Sequence, residues 1–184
     1  MQERRPAVFL DRDGTLIEDK HYLANADDVT LVNGAVDAVR RLRAAGFVVI
    51  VTTNQSGIAR GYIMPDAYAA VAARLDAMLS ASDARLDATY MCPHHPDVTG
   101  PCACRKPGPG MFLDAARDFD LDLSRSVLVG DRWRDIAAAT ALHARGILVP
   151  AGNTPAADID RARHEATVAA SLAEAVDRII RQPV

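Results

Sequence analysis

Three clusters of polar residues in this 184-residue chain each follow a short apolar run, at the point where a buried strand would end. The clusters are Asp11-Arg12-Asp13, Thr53-Asn54-Gln55 and Gly130-Asp131. Two carboxylates as close in sequence as Asp11 and Asp13 repel one another unless a cation or a proton lies between them. Hard divalent cations prefer oxygen ligands, and magnesium is the usual one beside phosphate. The clusters therefore predict a magnesium site for a phosphorylated substrate, with Asp131 as a further ligand.

The same residue types can carry out phosphoryl transfer. One aspartate can attack phosphorus and form an aspartyl phosphate, while the second protonates the leaving oxygen and later takes a proton from water. Thr53 and Asn54 would donate hydrogen bonds to the phosphoryl oxygens, and Lys106 would place a positive charge beside them. Each of these residues alone could be a turn residue, a helix cap or a surface lysine. Their combination at strand ends favours an active site.

A second cluster of chemically reactive side chains lies in a loop rich in proline and glycine. All three cysteines of the chain fall within thirteen residues, at Cys92, Cys102 and Cys104. With His94 they form the pattern C-x-H-x7-C-x-C, whose thiolates and imidazole suit a tetrahedral zinc ion. Four protein ligands leave no open position, so this zinc would be structural, and it would fix the position of the nearby Lys106. His95 could replace His94, and a loop with free thiols is the other interpretation.

The three polar clusters can form one site only in a fold that brings the ends of their strands close together. Unbroken apolar runs alternate with helical patterns, which is typical of a parallel sheet covered by helices on both faces. We predict strands over residues 7–10, 47–51, 87–91, 126–129, 146–149 and near 167–170, and helices over 34–45, 65–80, 110–119, 133–142 and from 172 onward. Since no repeat or linker is apparent, residues 1–184 are predicted to form a single Rossmann-like α/β domain. Ligands of such sheets bind outside the carboxyl ends of the strands, where the polar clusters lie.

Composition and charge narrow the class of partner. Hydrophobic residues make up 49% and charged residues 24% of the chain, and the formal net charge is -3 with basic residues scattered. Nucleic acids attract clustered basic surface, so they are not expected as partners. Residues 1–6 are polar and lead into a short strand, unlike a signal peptide, and no apolar run approaches the ~18 residues of a membrane span. We expect a cytoplasmic monomer that acts on a small molecule.

Four short segments, in order along the chain, resemble the four motifs of the haloacid dehalogenase (HAD) superfamily of phosphatases. The segments are Asp11-Arg12-Asp13-Gly14-Thr15-Leu16, Thr53-Asn54-Gln55-Ser56-Gly57, Lys106-Pro107 and Gly130-Asp131 with Asp135. The resemblance implies that Asp11 is the nucleophile and Asp13 the acid and base, with Thr53 and Lys106 as the other catalytic residues. It also implies that magnesium is held by Asp11, the backbone carbonyl of Asp13 and Asp131, with Asp135 acting through water.

The spacing between these motifs leaves no room for an inserted cap domain, so short loops must select the substrate. A capless HAD domain with this zinc loop is similar to two related families, the D-glycero-D-manno-heptose 1,7-bisphosphate 7-phosphatases and the histidinol-phosphate phosphatases. Similar proteins favour His94 over His95 as the zinc ligand. Residues 9–15, 54–61, 92–96 and 104–111 carry the resemblance to the first family.

The heptose family acts in the synthesis of nucleotide-activated heptose for lipopolysaccharide or surface glycans. The resemblance implies substrate contacts from Asp19, Lys20, His21, Tyr22, Thr53, Asn54, Gln55, Ser56, Arg105, Lys106 and Arg132. A guanidinium binds phosphate bidentately, so Arg105 and Arg132 suit a second phosphate better than a cationic amino alcohol. Histidinol phosphate is the alternative substrate. A non-catalytic zinc-loop binding module is a further alternative, but it predicts loss of the chemical residues, and these are all present.

Overall fold

Parallel strands form the centre of the fold. The computed structural model describes residues 4–182, and within them six strands form one sheet in the order β3-β2-β1-β4-β5-β6, every neighbouring pair being parallel. The strands are β1 (Ala7–Leu10), β2 (Val48–Asn54), β3 (Ala88–Cys92), β4 (Val127–Gly130), β5 (Arg145–Leu148) and β6 (Thr167–Val168). Because β1 lies between β2 and β4, the carboxyl ends of these three strands are neighbours.

Helices cover both faces of the sheet. They are α1 (Ala35–Ala44), α2 (Ser56–Ala59), α3 (Pro65–Ser80), α4 (Pro96–Thr99), α5 (Gly110–Phe119), α6 (Trp133–Ile136), α7 (Ala156–Glu165) and α8 (Leu172–Arg181). Single 3-10 turns span Ala26–Asp28, Leu123–Arg125 and Ala137–Ala139. The predicted α/β class, with a parallel sheet between helices and no large cap, is confirmed.

The two faces of the sheet bury separate apolar clusters, as the alternation of side chains along a strand requires. Val8 and Leu10 of β1 pack in one cluster with residues of α1, α3 and α8. Phe9, between them, points to the other face and meets Phe112 of α5 edge to face, with ring centroids 5.1 Å apart. Burial on both faces explains why the central strands β1 and β4, and the first four residues of β2, are continuous apolar runs.

Several predicted elements differ from the structure. The predicted helix over residues 133–142 is wrong beyond Ile136, because the alanines that follow form a 3-10 turn and pack beside β5. Helices α2, α4 and α7 were not predicted; in α7 only Ala162 is buried, so it has no apolar period to read. Strand β2 runs three residues further than predicted, since Thr52 and Thr53 stay buried and pair with β3.

Some predictions concern residues outside the described part of the chain. Residues 1–3 and 183–184, which belong to the predicted single domain 1–184, lie outside it, as does half of the predicted polar N-terminus. The single-domain boundary therefore stays a prediction. No helix within residues 4–182 combines the length and apolar character that crossing a membrane requires.

Candidate active site

The ends of β1, β2 and β4 bring the three polar clusters together at the carboxyl edge of the sheet. Asp11 follows β1 directly, and its backbone N–H donates to the carbonyl of Val129 in β4 at 2.9 Å. This bond continues the β1–β4 pairing, so Asp11 lies beside Asp131, which follows β4. Thr53 and Asn54 are the last residues of β2. Strand order alone thus gathers residues that are distant in sequence.

Three buried aspartates lie together at this edge of the sheet. Asp11, Asp131 and Asp135 each offer a carboxylate oxygen, and these oxygens lie within 4.8 Å of one another. Burial, with the neighbouring charge of Asp135, raises the pKa of Asp11 to about 8 and the pKa of Asp131 to about 6. Removal from water and like charges both disfavour the ionised form. The cluster therefore favours a bound cation.

Lys106 supplies one positive charge to the cluster. Its ammonium, almost fully buried, donates to Asp11 Oδ1 at 2.7 Å and lies 2.8 Å from Asp135 Oδ1. Burial lowers the pKa of Lys106, but the two carboxylates outweigh burial and raise it overall. The side-chain amide of Asn54 fixes the lysine backbone, donating to its carbonyl at 3.0 Å and accepting from its N–H at 3.1 Å. Lys106 is thus a charged group in a fixed position.

The donor set fits magnesium. Three buried carboxylates share one buried ammonium, while Arg132 and Arg134 approach Asp131 and Asp135 with side chains that are 20% and 54% exposed. The carboxylate atoms that could bind an ion are hard oxygens. The loop after β1 also comes very close to one of them: a Cβ on Gly14 would lie 2.7 Å from Asp131 Oδ2, and Gly14 has a φ of +85°. Only glycine combines that backbone with that approach. Asp11, Asp131 and Asp135 are therefore the residues that could hold the ion.

Asp13 is held at the edge of the site by two side chains. The Arg12 guanidinium donates to both of its carboxylate oxygens at 2.9 Å, and Gln55 donates to Asp13 Oδ2 at 2.7 Å. Gln55 also lies 2.7 Å from the hydroxyl of Thr53, so it links the two side chains. Arg12 in turn lies over the ring of Tyr68, 5.5 Å from its centroid. Asp13 therefore has a defined orientation next to the buried aspartates.

A pocket of about 190 Å³ opens above these residues. Most of the predicted site residues line it: Asp11, Asp13, Asp19, His21, Tyr22, Thr53, Asn54, Gln55, Ser56, Asp131, Arg132 and Asp135. Lys106 lies beneath the lining, in contact with Asp11. The pocket thus collects side chains from the loops that follow all three strands.

Besides Lys106, two predicted substrate contacts are not part of the lining: Lys20 and Arg105. The Lys20 ammonium donates to the carbonyl of Asp28 at 2.6 Å and to the hydroxyl of Thr30 at 3.0 Å, so it ties down its own loop. The Arg105 guanidinium donates to the carbonyl of His94 at 3.0 Å, within the cysteine loop. Both side chains satisfy nearby backbone carbonyls instead of facing the pocket.

Four lining residues were missed: Arg12, Leu23, Gly57 and Arg134. Arg12 stands between Asp11 and Asp13, and Arg134 directly precedes Asp135, so their positions within the motifs were an available signal. Leu23 and Gly57 carry no reactive group. Nothing in their residue types could have marked them as part of a site.

The cysteine loop forms a compact set of four donors. The Sγ of Cys92 lies 3.6 Å from His94 Nδ1 and 3.7 Å from the Sγ of Cys102. The Sγ of Cys104 lies 3.3 Å from His94 Nδ1 and 3.6 Å from the Sγ of Cys102. His95 lies apart from this set, since its Nε2 is 2.6 Å from an Arg60 guanidinium nitrogen.

These distances fit zinc. A tetrahedron with ligands ~2.3 Å from its centre has edges of about 3.8 Å, close to the separations of the four donors. Burial raises the pKa of Cys92 to about 12, so without a cation this residue is a neutral thiol. Metal binding would have to displace that proton. The loop is joined to the active site through backbone bonds from Gln55 to Cys92 and from Ala59 to Pro93, at 2.7 and 3.2 Å.

Comparisons with known proteins give a consistent result. The HAD-hydrolase-like family model matches residues 103–175. Over 145 residues the chain is 41% identical to the D-glycero-beta-D-manno-heptose-1,7-bisphosphate 7-phosphatase of Photorhabdus laumondii, covering 76% of this chain and 77% of the relative. The protein of the same name from Yersinia pestis is 40% identical over 146 residues, covering 77% and 78%.

Solved structures agree with these relatives. The D,D-heptose 1,7-bisphosphate phosphatase of B. bronchiseptica, complexed with magnesium and phosphate, is 34% identical, with a TM-score of 0.85 over 96% of this chain and 98% of that one. The corresponding enzyme of Burkholderia thailandensis is 26% identical, with a TM-score of 0.72 over 97% and 100%.

Proposed function

Because the chain belongs to the D-glycero-β-D-manno-heptose-1,7-bisphosphate 7-phosphatase family of HAD-like hydrolases, we propose that it removes the 7-phosphate of this heptose bisphosphate. Its product would enter the synthesis of nucleotide-activated heptose. The observation that carries the proposal is the buried cluster of Asp11, Asp131 and Asp135 with Lys106 2.7 Å from Asp11, on the floor of a small pocket.

We propose that the reaction depends on magnesium. The ion would be held by Asp11, Asp131 and the backbone carbonyl of Asp13, with Asp135 acting through water. When bound, magnesium neutralises charge on the phosphate and makes phosphorus more electrophilic. The excess of buried carboxylate charge supports this assignment.

Two aspartates of the pocket carry out the chemical steps. Asp11 attacks the phosphorus of the 7-phosphate, a bond forms from its carboxylate oxygen to phosphorus, and the bond from phosphorus to the sugar oxygen breaks. Asp13 donates a proton to that oxygen. Water next attacks the aspartyl phosphate, Asp13 takes its proton, and inorganic phosphate leaves with Asp11 restored.

The remaining polar groups bind the transferred phosphoryl group. Lys106 and Thr53 stabilise the negative charge on its oxygens, because both are fixed in place before the substrate arrives. Gln55 links Thr53 to Asp13, which supports a common orientation of the phosphate and the acid.

Two arginines at the pocket would bind the 1-phosphate. The side chain of Arg132 is 20% exposed, and its Nε lies 3.2 Å from Asp131. The side chain of Arg134 is 54% exposed, and its nearest carboxylate, that of Asp135, is 4.0 Å away. A guanidinium that faces solvent at a pocket can bind an incoming phosphate bidentately. Arg134 would thus bind the 1-phosphate in place of Arg105, for which this contact was predicted.

We propose that the cysteine loop holds structural zinc through Cys92, His94, Cys102 and Cys104. The zinc would support the position of Lys106, which follows Cys104 by two residues. A cytoplasmic location and a monomeric state stay predictions.

Phosphorus NMR on the wild-type protein tests the proposed function. With D-glycero-β-D-manno-heptose 1,7-bisphosphate and magnesium, we expect loss of the 7-phosphate signal while the 1-phosphate remains. L-histidinol phosphate, supplied at the same concentration, should be hydrolysed more slowly. Loss of the 1-phosphate, or a preference for L-histidinol phosphate, would contradict the assignment.

A further inference from the structure

Three aromatic rings contact one another in a row beside the pocket, at interplanar angles of 55° and 60°. The ring centroids of His21 and Tyr22 are 4.5 Å apart, and those of Tyr22 and Tyr62 are 4.9 Å apart. His21 and Tyr22 line the pocket, whereas Tyr62 lies behind Tyr22 and is 59% exposed. This row of rings therefore joins the loop after β1 to the loop between α2 and α3. None of the proposed chemical steps uses Tyr62.

The backbone beneath the first two rings is unusual. His21 and Tyr22 have φ values of 49° and 58°, a left-handed conformation that a non-glycine residue adopts only when its surroundings hold it there. Asp19 holds one end, since its Oδ1 accepts the N–H of His21 at 3.0 Å and its Oδ2 accepts from Asn153 at 2.9 Å. The other end continues into the buried Leu23. These contacts hold the backbone of the loop but not the ring of Tyr22.

Gly57 and Tyr62 both contact the ring of Tyr22. A Cβ on Gly57 would lie 2.7 Å from Tyr22 Cδ1, so the ring can pack there only because residue 57 has no side chain. Tyr62 is itself fixed, because its N–H donates to the carbonyl of Gly57 at 2.8 Å and the next residue, Ile63, is buried. The ring of Tyr22 is therefore held by contacts with the backbone at Gly57 and with the ring of Tyr62.

We propose that Tyr62 is a positioning residue that holds the Tyr22 ring as a flat apolar wall of the pocket, and that this wall selects phosphates carried on a sugar ring over acyclic phosphates. The C–H face of a sugar ring packs well on an aromatic face, and a held ring loses little conformational freedom when the sugar binds. A small acyclic phosphate can reach the buried carboxylates without touching the wall. This inference rests on the proposed function, because it needs a substrate with a sugar ring.

Steady-state kinetics of Tyr62→Ala and Tyr62→Phe test the inference, with D-glycero-β-D-manno-heptose 1,7-bisphosphate and acetyl phosphate as substrates. For Tyr62→Ala we expect KM for the bisphosphate to rise about 3- to 10-fold, with kcat changed less than about twofold. Its kcat/KM for acetyl phosphate should stay at the wild-type value. Tyr62→Phe keeps the ring and should restore the wild-type KM. Met64→Ala, at a residue of the same loop that is 67% exposed, is the matched control and should change neither substrate.

The inference is overturned if Tyr62→Ala keeps the wild-type KM for the bisphosphate, or if it loses activity equally on both substrates. Failure of the proposed function looks different. A wild-type protein that hydrolyses acetyl phosphate but not the bisphosphate would reject the proposed substrate before any variant is compared, and the inference would fall with it.

Discussion

Asp11 and Asp131 show how burial prepares individual residues for a cation. Both carboxyl groups have raised pKa values because water is removed from them and Asp135 adds a like charge. Lys106 balances part of this charge but also occupies one oxygen of Asp11. At the residue scale, the buried carboxylates favour a bound cation, and binding of the proposed magnesium ion would displace protons.

This arrangement predicts a pH-dependent effect of magnesium on stability. A raised carboxyl pKa stabilises the folded, metal-free protein below the unfolded-state pKa, and this contribution is lost as pH rises through the folded pKa. The loss extends from the ordinary aspartate pKa of 3.8 up to the folded-state pKa, which is about 8 for Asp11 and about 6 for Asp131. Protons and magnesium compete, so the rise in Tm at a fixed magnesium concentration should be larger at about pH 8 than at about pH 6.

Thermal unfolding with and without added magnesium, at both pH values, measures this effect. Asp11→Asn removes the main titrating group and should flatten the difference. An equal rise in Tm at the two pH values for the wild type would contradict the prediction.

At the scale of elements, the cysteine loop and the end of β2 act together. The loop between β3 and α5 carries Lys106, and Asn54 at the end of β2 fixes the lysine backbone through two hydrogen bonds. Cys104 lies two residues before this lysine. A metal that ties Cys104 to the end of β3 would therefore keep Lys106 in register with Asp11.

The adjacent histidines give a matched test of this role. His94→Ala should lose zinc, lower Tm and reduce kcat, because His94 Nδ1 lies 3.3 Å from the Sγ of Cys104. His95→Ala should keep zinc, since His95 contacts Arg60 and lies apart from the cysteines. Zinc content by elemental analysis, with kcat on the same samples, gives the answer. Zinc loss from His95→Ala but not from His94→Ala would contradict the ligand set.

At the scale of the whole molecule, stability and chemistry are placed on different parts of the fold. Leu42 of α1 is fully buried in the cluster that α1, α3 and α8 form on one face of the sheet. Leu42→Ala should destabilise the fold by about 2–5 kcal/mol, because it removes buried methyl groups and leaves a cavity. Its kcat well below Tm should remain at the wild-type value.

Urea unfolding and steady-state kinetics on Leu42→Ala test this separation. Arg40→Ala, at an exposed position of the same helix, is the control and should change stability by less than about 0.5 kcal/mol. A large fall in kcat for Leu42→Ala at low temperature would show that the core and the site are coupled.

The parts of the fold that the sequence predicted are those with a strong apolar pattern. Strand β1 and helix α3 agree with their predicted bounds because continuous burial and an N-terminal proline mark them clearly. Helix α7 has no such pattern, since Ala162 is its only buried residue and most of its other side chains are exposed.

The residues of the candidate site also differ in how well the sequence predicted them. Asp11, Asp13 and Asp131 were predicted because polar clusters follow several apolar strands of the same chain, and this combination favours an active site over separate turns or helix caps. The orientations of Lys20 and Arg105 could not be predicted from the sequence. A long side chain can donate to any of several backbone carbonyls, and only the folded loops determine which of these lie nearby.

The central claim is that Asp11 becomes phosphorylated, and mass spectrometry of an acid-quenched reaction tests it most directly. In Asp13→Asn, p-nitrophenyl phosphate can still transfer its phosphoryl group, because nitrophenolate leaves without protonation, but water is no longer activated. We expect one phosphoryl group to accumulate on the peptide that contains Asp11, and none in the double variant Asp11→Asn, Asp13→Asn. Release of nitrophenolate with no phosphoryl group on Asp11, or with the group on another residue, would contradict the account.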